Sequence, residues 1–120
     1  MSATPSAARL AIFSLDQLLT ALNNHKMGRY AEAEPNYQRA LELMRAVLGE
    51  KHPDCAAILN NLGVLYYCLN RFAEAELLLS KALDIYRGAL GEHHPSYLDT
   101  LRNLVAVCRI GRLVEFREQA

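Results

Sequence analysis

The chain has 120 residues, in which 13 basic and 13 acidic side chains cancel, enough for one domain that buries roughly two thirds of the surface its unfolded form exposes. Neutrality excludes the basic field that binding to nucleic acid or an anionic membrane requires. The longest apolar run, LAIFSL from Leu10, falls far short of the roughly 20 residues of a membrane-spanning helix, and MSATPSAAR before it lacks the charged start and long apolar middle of a secretion signal, so a cytoplasmic protein is expected.

Residues 1–14 form a lead-in. A first helix is expected from Leu15 to Met27, ended by the turn KMGRY, where Gly28 tolerates a left-handed backbone. The next helix, from Arg29 to Leu48, carries Ala33, Tyr37, Ala40, Leu41, Met44 and Leu48 at intervals of three and four, which places them on one face. Pro35 lies inside it and removes one backbone bond, so a local bend is expected there. Gly49 then stops the helix and Pro53 opens a third, with His52 at its cap. The third helix presents Leu59, Leu62, Gly63 and Tyr66 on one side and ends at CLNRF, where Asn70 replaces glycine as the turn residue. A fourth helix follows with Ala75, Leu79, Ala82, Leu83, Tyr86 and Leu90, and Gly91 and Pro95 repeat the stop and start. The fifth carries Leu101, Leu104, Val105 and Cys108, and RIGRL, with Gly111, is expected to turn the chain once more into a short final helix.

These elements repeat. Of the 34 residues from Arg29 to Leu62, 16 recur identically 42 places later, among them Gly49 at Gly91 and His52–Pro53 at His94–Pro95. Self-similarity at a fixed period marks a stack of repeated units, here antiparallel helix pairs over 15–51 and 52–93, with a truncated third pair over 94–120. The first helix fits the period least well, because Thr20 and Asn24 stand 42 places before Leu62 and Tyr66. A small insertion in its turn would put Leu18 or Leu19 and Leu22 there instead.

Leu62–Gly63, Tyr66, Phe72, Ala75 and Ala82, with Tyr30, Ala33 and Ala40 one copy earlier, resemble the tetratricopeptide pattern. The long period, with LNNLGVLYY, RFAEAE and KALDIYRGALG, is similar to the repeat of kinesin light chains and their bacterial relatives. The resemblance implies an all-α, right-handed superhelical stack, an α-solenoid, in which the first helix of each pair lines a concave groove.

Chemical alternatives find little support. Cys55, Cys68 and Cys108 are an odd number without paired spacing. His52 and Cys55 are three apart, but zinc wants three or four ligands, and one period later the pair becomes His94 and Tyr97. No metal or other cofactor and no catalytic residue is expected; a hydrolase using His52, His94 and the cysteines is the weaker alternative. Glu32, Glu34, Glu74 and Glu76 suit solvated helix starts rather than a carboxylate dyad.

What remains is a surface for a protein or peptide partner. Beside the core stripe lie Asn60, Asn61, Val64, Tyr67 and Cys68 on the third helix and Arg102, Asn103, Ala106 and Arg109 on the fifth. Asparagine can pair with an extended peptide's backbone, and Arg102 and Arg109, seven apart, can meet an acidic group. Asn61 and Asn103 occupy the same place in both copies and serve equally well as bonds that hold the stack together. A groove that clamps a terminal carboxylate needs matched basic and asparagine positions, and the first copy offers only His25 and Lys26, so that motif is incomplete. The short third copy leaves Leu98, Leu101 and Val105 open, which predicts a homodimer through the C-terminal helices.

Overall fold

The computed structural model describes residues 6–119, and among them there are five helices and no strand. Helices α1 (Ala7–Lys26) and α2 (Tyr30–Leu48) form one hairpin, and α3 (Pro53–Cys68) and α4 (Phe72–Leu90) form the second. Helix α5 (Pro95–Gln119) packs on α4 and touches α3. Each helix contacts mainly its neighbours in the chain, as in a linear stack.

Helix ends obey the punctuation of the sequence. Gly28, Gly49 and Gly91 have φ of 78°, 88° and 87°, and Asn70 has φ of 60°, the left-handed region that glycine enters freely and asparagine tolerates. Both hairpin turns close identically: the Arg29 N–H donates to the Asn24 carbonyl and the Arg71 N–H to the Tyr66 carbonyl, each at 2.8 Å. His52 and His94 are caps in the strict sense. Their Nδ1 atoms accept the backbone N–H groups of Asp54 and Ser96 at 3.0 and 3.1 Å, satisfying donors that have no partner inside the helix.

Three expectations need correction. Helix α1 begins at Ala7, eight residues before Leu15, because Ser6 caps it by accepting the Arg9 N–H at 3.2 Å; of the lead-in, residues 1–5 lie outside the described part. The straight 42-residue register also holds in α1 without an insertion. Ala21 and Asn24 are buried where Gly63 and Tyr66 stand one period later, while Leu19 and Leu22 face outward. Ser14, in the place of Ala56, is fully buried and donates its hydroxyl to the Ala40 carbonyl at 2.9 Å, tying α1 to α2.

The third correction concerns the C-terminal end. There is no third helix pair among the described residues: α5 runs straight through Gly111, which is helical rather than left-handed. In the first two copies the turn is repaid by a 19-residue second helix that buries an apolar stripe. The residues from Arg112 to Gln119 offer only Leu113, Val114 and Phe116, and continuing the helix keeps every backbone bond in place. Gly111 lies over Phe72 at the start of α4, where an added Cβ would make an ordinary 3.5 Å contact. The helix beyond it therefore overhangs the α3–α4 hairpin, with Phe116 72% exposed. Gly111→Ala is expected to raise stability by about 1 kcal/mol, the helix-propensity difference, in urea unfolding followed by circular dichroism; a turn at Gly111 would instead make the same change destabilising.

The core lies between the helices of each pair and along the joint between pairs, with Tyr37, Ile58, Leu59, Leu65 and Leu79 essentially inaccessible. The joint also has a polar staple. Glu34 on α2 accepts from Tyr66 Oη at 3.0 Å and from Arg71 Nη1 at 3.0 Å, and Gln38 donates to the Tyr66 hydroxyl at 3.2 Å. The Arg71 guanidinium also lies 4.2 Å from the Tyr66 ring centroid and bonds Glu74. Glu34 and Glu74 are thus partners of one arginine rather than merely solvated charges. Glu74 is held below its ordinary carboxylate value by its hydrogen bond to Arg71.

Candidate functional site

Successive first helices meet edge to edge, and two contacts share one spacing. Asn103 Nδ2 on α5 donates to Asn60 Oδ1 on α3 at 3.1 Å, while Cys68 on α3 lies 4.0 Å from His25 Nε2 on α1. Both pairs are separated by 43 residues, one period plus one. Where α3 and α5 diverge, a cleft of about 140 Å³ opens between Val64, Tyr67, Asn103, Ala106 and Val107. The Tyr67 ring stands edge-on to Phe72 at 5.9 Å between centroids, which fixes one wall.

The structure therefore brings together Asn60, Val64, Tyr67 and Asn103 from the sequence-derived set. Asn103 bonds the neighbouring first helix, as a stacking residue would. Asn61 occupies the same place in its own copy, but the residue facing it by that spacing is Leu18, which has no amide to offer. The two arginines stand apart from the cleft walls. Arg102 is exposed and pairs with Asp99 at 3.1 Å. Arg109 lines a separate, larger hollow of about 330 Å³ on α5 with Leu101, Leu104, Val105, Cys108 and Arg112. Leu98 and Val105 on that helix are 40% and 46% exposed.

The chain matches the family model described as tetratricopeptide repeat over residues 17–88, well over half its length. It belongs to the tetratricopeptide repeat family. The match covers the second half of α1, all of α2 and α3 and all but the last two residues of α4, and the five helices, packed as adjacent pairs, are the helical repeat that the family implies. Tetratricopeptide repeats serve in general as protein–protein interaction modules and are typically non-catalytic. No curated protein matches the chain closely enough to count as a relative.

Three residues of the hydrolase alternative, His52, His94 and Cys55, have local roles in this repeat. His52 and His94 cap their own helices. The Cys55 thiol is buried and donates to the Gly49 carbonyl at 3.3 Å, and burial pushes it above the ordinary thiol value. Among the described residues no three His, Cys, Asp or Glu side chains gather as metal ligands would. No helix among them is long and apolar enough to cross a membrane.

Sequence reasoning missed one polar cluster. His25 Nδ1 lies 3.0 Å from the buried Tyr37 hydroxyl, its Nε2 faces Cys68, and its ring stands edge-on to Tyr30 and Tyr37. Burial holds His25 below its ordinary value, so it is the neutral imidazole near pH 7. The signal that finds this cluster is the 43-residue spacing, visible only once one such contact is known.

Proposed function

We propose that this tetratricopeptide repeat binds a peptide segment of a partner protein in the groove formed by its first helices, with the cleft at Tyr67 as its anchoring pocket. The observation that carries the proposal is a cleft whose aromatic wall does not repeat: the place of Tyr67 is taken by His25 in the first copy and by Arg109 in the third. Residues that repeat packing demands should recur, and Tyr67 does not. An aromatic edge beside an apolar floor of Val64, Ala106 and Val107 suits one apolar peptide side chain, and the Asn61 amide suits the peptide backbone beside it. Arg102 and Arg109 stand on the same helix beside the cleft rather than in its walls, and an acidic residue of a ligand that runs past the cleft would meet them. The 42-residue period and the long second helices support a repeat of the kinesin light chain form, and the cytoplasm is the proposed compartment.

A second reading rests on the open face of α5, where Leu98, Leu101 and Val105 lie without a covering helix; there the same module would pair with a second copy of itself. One experiment addresses both. Peptides selected from a display library on the purified chain are expected to bind the wild type and to lose about tenfold in affinity or more with Tyr67→Ala, the loss typical of an aromatic anchor. Binding is compared well below the melting temperature, because Tyr67→Ala also removes the contact with Phe72. Light scattering on the same samples gives the mass: a dimer that Val105→Glu converts to monomer supports self-association through α5. Selected peptides that bind Tyr67→Ala as tightly as the wild type would overturn the groove assignment.

A further inference from the structure

An arginine recurs in the last turn of each second helix: Arg45 in α2 and, 42 places on, Arg87 in α4. Arg87 is fully committed. Its Nε pairs with Glu92 at 3.3 Å, its Nη1 pairs with Asp84 at 3.1 Å, and its Nη2 donates to the Tyr97 hydroxyl at 3.3 Å. The second copy thus gives this guanidinium two carboxylates.

Arg45 has the same place and none of these partners. Where Asp84 stands the first copy has Glu42, which pairs instead with Arg39 at 3.7 Å. Glu50 stands where Glu92 does, but among the described residues it forms no salt bridge. Cys55, in the place of Tyr97, gives its thiol to the Gly49 carbonyl. Arg45 Nε is left buried without a hydrogen-bond partner, and it is the one side-chain nitrogen or oxygen so placed among the described residues. A cation in the last turn of a helix gains from the helix dipole, yet Arg87 has that gain as well and still takes two carboxylates, so the dipole does not replace them. A buried charge without a partner is costly, and an anion brought to it recovers that cost.

The surroundings are built for such an anion. Arg45 lines a hollow of about 420 Å³ between α2, α4 and the connector after Gly49, together with Lys51 and Lys81. Neither lysine forms a salt bridge among the described residues. Of the two carboxylates at the hollow, Asp84 already holds Arg87, which leaves Glu50 alone against Arg45 and the two lysines. A second hollow shares Lys51, Asp84 and Ile85 and continues the first along Gly88 and Ala89, where the walls are mainly hydrocarbon. An added Cβ at Gly88 would meet open space.

We propose that these adjoining hollows bind an organic phosphate monoester, whose phosphate does for Arg45 what Asp84 and Glu92 do for Arg87 and whose apolar body lies along Ile85, Gly88 and Ala89. A phosphate monoester carries about 1.5 to 2 negative charges near pH 7 and offers three acceptor oxygens, enough to bond the guanidinium and the lysines together, whereas a carboxylate brings a single charge. The site lies on the second helices, apart from the groove of the first helices, and stands whether or not that groove takes a peptide.

The test titrates the full chain, in phosphate-free buffer, with phenyl phosphate, inorganic phosphate and a short peptide carrying phosphotyrosine, and follows the backbone amide and arginine Nε–H signals by NMR. Phenyl phosphate is expected to give saturable shifts at Lys51, Gly88 and the Arg45 Nε–H, with an affinity about tenfold or more above that of inorganic phosphate, the gain typical of one buried apolar ring. Tighter binding of phenyl phosphate than of the peptide supports the site with a small metabolite as its ligand; the reverse order supports it with a phosphorylated side chain of a partner. Arg45→Gln and Gly88→Glu are each expected to weaken phenyl phosphate by about tenfold or more, and Glu50→Gln, which removes the competing carboxylate, to tighten it by about threefold. Should Arg45→Gln disturb the fold, Gly88→Glu still decides, since its side chain enters open space and glutamate is a better helix former than glycine. Shifts that do not saturate, shifts at Arg102 and Arg109 as large as those at Lys51, or binding that survives Gly88→Glu overturns the proposal.

Discussion

Gly63→Val is expected to lower the stability of the chain by about 3 kcal/mol or more, read as a fall in melting temperature of roughly 10–15 °C for a domain of this size. Helices α3 and α4 cross at Gly63, where even a methyl group would stand 2.8 Å from Leu79 Cγ and 3.4 Å from the Ala75 carbonyl oxygen. Leu79 is itself inaccessible and cannot swing away. Gly63→Ala should cost less, because the overlap is partly offset by the better helix propensity of alanine, worth about 1 kcal/mol. The partner change isolates the cause. Leu79→Ala alone leaves a cavity and costs about 2–5 kcal/mol, yet in that background Gly63→Ala should become neutral or stabilising, a coupling that only touching residues produce. The first copy illustrates the logic, since it has Ala21 at the crossing and the flat ring of Tyr37 where the second has branched Leu79. If Gly63→Val melted with the wild type, the close crossing would be misplaced.

Tyr37→Ala should be nearly as damaging, at about 3–5 kcal/mol for a fully buried ring, whereas Tyr37→Leu, which installs the residue of the second copy, should cost about 1.5 kcal/mol or less because volume is largely kept. The hydroxyl adds a pH signature. Burial pushes Tyr37 up to about 12 from an ordinary 10.0. A folded value above the unfolded one means that the contribution is intact below pH 10 and is lost as pH rises from there through 12. Tyr66 and Tyr86, also raised by burial, weaken the fold in the same direction. Urea unfolding from neutral pH to pH 12 is therefore expected to show a steep alkaline loss that Tyr37→Leu makes shallower. An unchanged slope in that variant would mean that Tyr37 ionises without opposing the fold.

Much of the architecture was legible because it is local. Gly28, Gly49, Asn70 and Gly91 announce helix ends within a few residues of where they act, and His52–Pro53 and His94–Pro95 announce the starts. Gly111 sits in the same local context as Asn70 and behaves otherwise, because a turn forms only when the segment after it can bury enough to hold it, and that is decided by residues farther on. The start of α1 was missed because Ser6 acts through a single cap. Pairs that lie far apart in sequence were harder still. Glu34 with Arg71, Asn60 with Asn103 and His25 with Cys68 each join different helix pairs, and no window short enough to show helical periodicity contains both partners. The candidate groove was legible as a set of helix faces; that Asn103 bonds across the stack while Arg109 lines a separate hollow depends on how the faces pack.

Because each helix rests on the one before it and the one after it, the molecule has no closed centre. Among the described residues the extensive contacts run between helices that are neighbours in the chain, so cohesion is handed along the row. Loosening then has two natural starting places, the first helix and the last, and the middle hairpin, gripped on one side by the staple at Glu34 and Arg71 and on the other by α5, lets go after them. Such a molecule comes apart by peeling, and its interior hairpin keeps the cleft in shape while the ends come and go.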